Sequence, residues 1–206
     1  MLSFLDRFRG FYPVVIDVET GGFDAEKNPL LEVAAVTLKF EDDKLVQDES
    51  FHAHITPEAG LTIDPKALEF TGIDPDHPFR MAKSEKTALQ EMFQFIRSKK
   101  KPHNCQRAVL VGHNSWFDLS FINAGIKRHN IKRSPLHGFT SFDTASLAGL
   151  AYGQTVLAKA CTAAEIDFDN SQAHSAIYDA EKTADLFCQI VNTWQAFGGW
   201  PPAHSS

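Results

Sequence analysis

Residues Pro13 to Thr20 read Pro-Val-Val-Ile-Asp-Val-Glu-Thr, an apolar run of strand type with two carboxylates set two positions apart inside it. Successive side chains on a strand point to opposite faces, so Asp17 and Glu19 share one face while Ile16 and Val18 take the other. Two carboxylates on one face of a mostly buried strand repel each other and are costly to desolvate unless a cation sits between them. Taken alone, the stretch reads more simply as a strand end in solvent, where Asp-x-Glu is ordinary. The remainder of the chain shifts that balance.

A chain of 206 residues, 43% of them apolar, can bury a sizeable core and suggests one domain over 1–206, with a loose Gly, Pro and Ser rich tail at 198–206. Cys105, Cys161 and Cys188 are odd in number and lack a Cys-x-x-Cys pair, so neither a disulfide framework nor a thiolate zinc site is suggested. Charge interrupts the N-terminus before a signal-peptide core could form, and no stretch approaches the roughly 20 apolar residues that cross a bilayer. A soluble protein of the reducing cytoplasm, without membrane contact, is expected. The net charge of −6 argues at first against a polyanionic partner. Yet bases gather locally at Arg7 with Arg9, Lys99, Lys100 and Lys101 with Arg107, Lys127 with Arg128, and Lys132 with Arg133, and phosphate contacts need only a local cationic surface. Each cluster reads equally well as a solvated loop or helix end.

Along the chain, Leu31 to Phe40 follows the first strand as a nearly continuous apolar run, too close in sequence for a parallel crossover and therefore its antiparallel partner. Glu49 to Ile55 can return as a third strand. Asp64 with Pro65 predicts a helix start and Gly72 its end; Ser84 predicts the cap of a helix whose Ala88, Leu89, Met92, Phe93 and Ile96 recur at helical spacing. Arg107 to His113 reads as a short buried strand, Ser115 to about Asn130 as a helix, and Phe139 to Asp143 as a strand. Short helices are expected at Thr144 to Ala151 and Thr155 to Glu165, and a long one from Ser175 to Phe197. The pattern is mixed α/β, a five-stranded sheet covered by helices.

Asp118, at the start of a helix, and Asp179, in the first turns of the last one, can point to a common strand edge with Asp17 and Glu19. Four carboxylates form a hard-oxygen set suited to two Mg²⁺ or Mn²⁺ ions and poorly suited to zinc. His174 lies five positions before Asp179, about 140° around a helix, so it fits better on the loop ahead of that helix, with Ser175 as a candidate cap. An imidazole titrates near pH 6.5, which suits a general base at neutral pH.

Asp17-x-Glu19, His113-Asn114-x-x-Phe117-Asp118 and His174-x-x-x-x-Asp179 resemble, in this order, the three motifs of the DEDD exonucleases, in the subgroup with a catalytic histidine. From about Asp6 to Pro201 the chain resembles one branch of that subgroup, through Asp6-Arg7-Phe8-Arg9-Gly10-Phe11-Tyr12-Pro13, Phe142-Asp143-Thr144, Gly153-Gln154-Thr155-Val156-Leu157 and Gln172-Ala173-His174-Ser175-Ala176. The resemblance implies a ribonuclease-H-like fold, hydrolysis of RNA and single-stranded DNA from the 3′ end, trimming of tRNA and other stable RNAs, and a homodimer. Asp17, Glu19, Asp118 and Asp179 would hold two metal ions, and His174 would take the proton of the attacking water and touch a metal in some states. Phe23, Phe70, Phe117 and Phe139 match positions that stack on the terminal bases, although seventeen phenylalanines must largely fill the core and Phe117 could pack there. Lys66 stands where the family pattern has an acid, which weakens any base contact from that position. Arg7, Arg9, Lys99, Lys100, Lys101, Arg107 and Lys132 would form the basic surface by which one protomer guides substrate to its partner's site. Asp143 has no motif role. A proofreading subunit, an oligoribonuclease and a non-catalytic nucleic-acid-binding module are the competing readings.

Overall fold

A short helix, α1 (Phe4–Arg7), capped by Ser3, leads into β1 (Phe11–Thr20). In this computed structural model, which describes residues 2–198, β1 lies at the centre of the sheet. It pairs antiparallel with β2 (Leu30–Glu41), whose residues Leu30 to Leu38 are all buried. A two-residue turn of Asp42 and Asp43 joins β2 to β3 (Lys44–Thr56). Both aspartates have positive φ, 49° and 58°, the hand that matches the twist of the flanking strands and that Asp tolerates better than most residues.

The second half supplies helices and parallel strands. Helix α2 (Pro65–Thr71) has the expected Asp64 cap and ends at Gly72, at φ 69°. Strand β4 (Lys83–Ser84) precedes α3 (Glu85–Lys100), which Ser84 caps through Thr87 N–H. Strand β5 (Arg107–Gly112) runs parallel to β1, followed by α4 (Trp116–Arg128), β6 (Leu136–Asp143), α5 (Thr144–Tyr152), α6 (Leu157–Ala163) and α7 (Ala176–Gly198). The sheet order is β4-β3-β2-β1-β5-β6. Helices α3 and α4 pack on each other, with Gly125 against Leu89, whereas α5 and α6 pack on α7, which crosses β1, β2 and β3. Among the described residues no helix is long and apolar enough to cross a membrane.

Among the described residues the sheet therefore has six strands, where the sequence suggests five. The additional one, β4, is two residues paired parallel to the end of β3, too short to carry any periodicity. Strand β3 also begins five residues before the expected Glu49, because its polar first half pairs with β2 beyond a register shift at Val36/Leu38. Ser115 does not cap α4; its hydroxyl meets that of Ser141 at 2.8 Å. Of the expected tail, Gly198 closes α7 and residues 199–206 lie outside those described.

Of the apolar stripe that helical spacing predicts on α7, Ile177, Ala180, Ala184, Phe187, Val191 and Trp194, the middle four are buried, whereas Ile177 is only partly covered and Trp194, past the edge of the sheet's cover, is exposed; Ala176 is buried in addition. Phe187 packs between Phe8, at 6.2 Å between ring centroids, and Phe142, at 5.7 Å, and so presses α7 onto the sheet. Phe187→Ala should lower the unfolding free energy by about 3–5 kcal/mol, read from urea denaturation; a loss below about 1 kcal/mol would mean that α7 is held by other contacts.

Candidate active site

Strand β1 outruns its parallel neighbour. Pairing with β5 stops at Val15 opposite Val111, while pairing with β2 continues to Thr20, so the backbone of β1 beyond Val15 faces open space on the β5 side. Asp17 and Glu19 lie on this stretch. Asp118, in the first turn of α4, fills the gap: its Oδ1 accepts the N–H of Val18 at 3.1 Å. Gly112 permits the approach, since a Cβ there would meet Asp118 Oδ2 and Ser115 Cα, each at 3.1 Å.

Asp179 arrives from α7, and its Oδ2 accepts the backbone N–H of His174 at 3.0 Å. His174 lies in the loop just before α7, as the spacing predicts, at φ 68°, a conformation that costs a non-glycine residue energy. Donor atoms of Glu19, His174 and Asp179 lie within 4.8 Å of one another. The four acids and the histidine predicted from sequence thus converge at one sheet edge.

The electrostatics are those of a site with too much like charge. Burial, then Asp118, Glu19 and Asp179 in turn, push the Asp17 carboxyl well above the carboxylate range. Burial, then Asp179, Glu32 and Asp118, push Glu19 up to about 9. Burial raises Asp118 to about 8 despite the Val18 N–H, and it raises Asp179 despite the His174 N–H. Among the described residues, Asp179 Oδ1 is buried without a hydrogen-bond partner.

Aromatic side chains surround this edge. Phe23 is 85% exposed, presented by a turn in which Gly22 at φ 152° leaves no room for a Cβ, which would lie 2.5 Å from Asn28. Its ring meets the half-buried Phe117 edge-on at 6.1 Å, and Phe117 also packs on Phe121, so it serves core and surface together. Phe70, 66% exposed, lies 4.1 Å from the His174 ring. Phe139 projects from a bulge in β6, where Ala108 pairs with Leu136 but Leu110 with Ser141. Lys66 is exposed, and its N–H satisfies the Asp64 cap.

Two participants, Trp116 and Glu32, were not singled out from the sequence, and the contacts of a third, the motif residue His113, could not be read from it. Exposed Trp116 stands beside Phe117 and Asp118; an apolar residue at the start of the helix that carries Asp118 was its only signal. Buried Glu32 faces Glu19 across β1 and β2, an acid inside an apolar run like Asp17 itself. His113 joins Thr144 Oγ1 at 3.0 Å and Thr155 O at 2.8 Å, tying the linker after α5 to the site. Asp143 accepts from Asn114 N and Ala145 N, which accounts for it as a brace and helix cap.

The basic residues lie elsewhere. Arg7 and Arg9 precede β1, Lys99, Lys100 and Lys101 end α3 and its following turn, Arg107 opens β5, and Lys132 precedes β6. All sit at the end of the sheet opposite the acids, about 20 Å from Asp17 along β1 by strand rise. Lys99 is ion-paired with Asp48 and Glu49, and Lys100 donates to Cys105 O, whereas Arg9, Lys101 and Lys132 are exposed. Arg97, Lys100, Arg107 and Arg133 line a groove of about 630 Å³ there.

A family model described as an exonuclease matches residues 14–187. Ribonuclease T of Shewanella denitrificans is 58% identical over 198 residues, covering 96% of this chain and 88% of that one. Ribonuclease T of Cronobacter sakazakii is 57% identical over 197 residues, covering 95% and 88%. This chain belongs to the ribonuclease T family of exonucleases. Like its family it is a 3′-5′ exonuclease. Its fold is shared with E. coli exonuclease I, solved in complex with a dT13 oligonucleotide, at a TM-score of 0.69 and 17% identity, over 91% of this chain and only 42% of that one. The ribonuclease-H-like architecture implied by the motifs is therefore present.

Membership of the ribonuclease T family implies a divalent cation, and the residues fit one. The donors are oxygen-rich, mutually repelling and partly dry, and Asp179 Oδ1 is left without a protein partner. The raised pKa values also fix the pH response of the metal-free protein. These carboxyls titrate near pH 4 when unfolded, so between about pH 4 and 9 the folded state holds more protons, and stability falls as pH rises. The metal-free thermal midpoint should be lower near pH 9 than near pH 5.5, with divalent cation raising it most at the alkaline end. A midpoint that rose with pH would contradict this charge distribution.

Proposed function

We propose that the chain is a single cytoplasmic exonuclease domain that trims the 3′ ends of tRNA and other stable RNAs, and degrades single-stranded DNA, as a homodimer using two Mg²⁺ ions. Mn²⁺ is the expected substitute. The observation that carries this reading is the convergence of Asp17, Glu19, Asp118 and Asp179 beside His174, with one buried carboxylate oxygen left over for a cation. The relatives' shared name supports the RNA substrate, and the oligonucleotide in exonuclease I supports a single strand.

Asp17, Glu19, Asp118 and Asp179 would hold the cations. When bound, these lower the pKa of water and offset charge on the phosphate undergoing displacement. His174 takes the proton of the attacking water, its backbone fixed by Asp179 and its ring seated against Phe70. Phe23, Phe117, Phe70 and Phe139 offer faces on which terminal bases stack, a contact worth about 1–3 kcal/mol per base. Because the basic end of each protomer faces away from its own acids, a dimer lets Arg9, Lys101 and Lys132, with Arg7, Arg107 and the lysines of α3, lead substrate to the partner's site.

A time course on 5′-labelled RNA tests the reading. A ladder should shorten stepwise from the 3′ end, stop in EDTA, and slow by roughly 10²–10⁴ in His174→Ala. Binding without shortening in Mg²⁺ would leave a binding module instead; stalling on long chains would favour an oligoribonuclease. The basic surface is tested separately by reversing Arg9, Lys101 and Lys132 to glutamate. Binding of long RNA should weaken and its salt slope flatten by about 0.7 per cation removed, with dinucleotide hydrolysis nearly unchanged; equal losses on both substrates would remove these residues from the substrate path.

A further inference from the structure

Glu32 is 6% exposed and stands in register with Glu19, yet it is not one of the four acids. Its Oε1 lies 2.8 Å from His54 Nδ1 and 4.0 Å from Arg80 Nη2. Its Oε2 lies 3.3 Å from His52 Nε2 and accepts the N–H of Ala176 at 3.4 Å. Burial would raise this carboxyl, but the two imidazoles outweigh it and hold it below the usual range, so it is ionised at neutral pH. Glu32, His52 and His54 could in isolation suit a metal ion. The Arg80 guanidinium already brings positive charge to that carboxylate, which makes the group a brace for a buried anion.

What the brace holds is the start of α7. Ala176 is the first residue of that helix, two positions after His174 and three before Asp179. A carboxylate at a helix N-terminus is favoured by the unpaired N–H groups and the helix dipole. Through Ala176, Glu32 anchors the loop that carries His174 at its costly φ of 68° to the same sheet that carries Asp17 and Glu19. From the first turn of α7, Asp179 supplies the other anchor by accepting the His174 N–H.

We propose that Glu32 is a positioning residue for the hydrolysis: it fixes the height of the His174 imidazole over the β1 carboxylates by holding the first turn of α7. The inference rests on the reading of His174 as the proton acceptor. Reach and charge can be separated, because Glu32→Asp keeps the charge but withdraws the oxygen from Ala176, whereas Glu32→Gln keeps the reach and an accepting oxygen without the charge.

The experiment measures kcat and KM of E32D, E32Q, H174A and E32D/H174A on single-stranded RNA, with amide exchange at Ala176 as a readout independent of turnover. E32D should lose about 10- to 100-fold in kcat with KM held, because a misplacement near 1 Å is enough for that, and its Ala176 amide should exchange faster. E32Q should keep kcat and amide protection near wild type, and the double variant should be no slower than H174A. Wild-type kcat or unchanged Ala176 exchange in E32D, an E32Q as slow as E32D, or a double variant losing the product of both single factors would each overturn the proposal. Wild-type turnover in H174A would instead defeat the reading of His174, and it is visible without the Glu32 variants.

Discussion

Carboxylates brought together away from water must find positive charge, and in this molecule that demand shapes a whole end of the sheet. The acids of β1, α4 and α7 are drawn close enough that burial and mutual repulsion keep Asp17, Glu19 and Asp118 far above their ordinary titration range. Backbone amides meet some of the demand, at Val18 for Asp118 and at His174 for Asp179. Side chains answer it on the neighbouring strand, where the His52 and His54 rings and the Arg80 guanidinium surround Glu32. The remainder falls to a divalent cation.

The three solutions differ in what they cost when disturbed. An amide donor is fixed by the backbone, so Asp118 and Asp179 are held in place before any ion arrives and lose little freedom on binding one. Among the described residues Glu19 has no such donor, so its charge is left for the cation to offset. A paired acid such as Glu32 contributes negative potential to its neighbours without taking up a proton itself, and Glu19 registers that potential directly.

Much of this was legible in the residues. The apolar runs at Pro13 to Thr20 and Leu31 to Phe40, the helical stripes of α3 and α7, and the loop position of His174 follow from periodicity and helix geometry. The three acidic motifs could be placed at one edge because strands and helix starts put them there. What could not be read depends on register. His52 and His54 reach Glu32 only through the pairing of β2 with β3. Phe139 is extruded by a slip between β5 and β6, and β4 is too short for any pattern to mark it. That the basic residues occupy the opposite end of the sheet from the acids likewise needed the parallel run of β1 and β5.

The early ending of β5 has a consequence for how such a site can vary. Where two strands diverge, the longer one presents an open row of donors and acceptors, the kind of edge that invites unwanted pairing with another chain. Asp118 closes some of that edge with its own carboxylate. The same atoms that equip the site for chemistry therefore also finish the sheet, so drift at this position is limited by solubility as well as by turnover, and a descendant that abandoned nuclease activity would still have reason to keep an acceptor there.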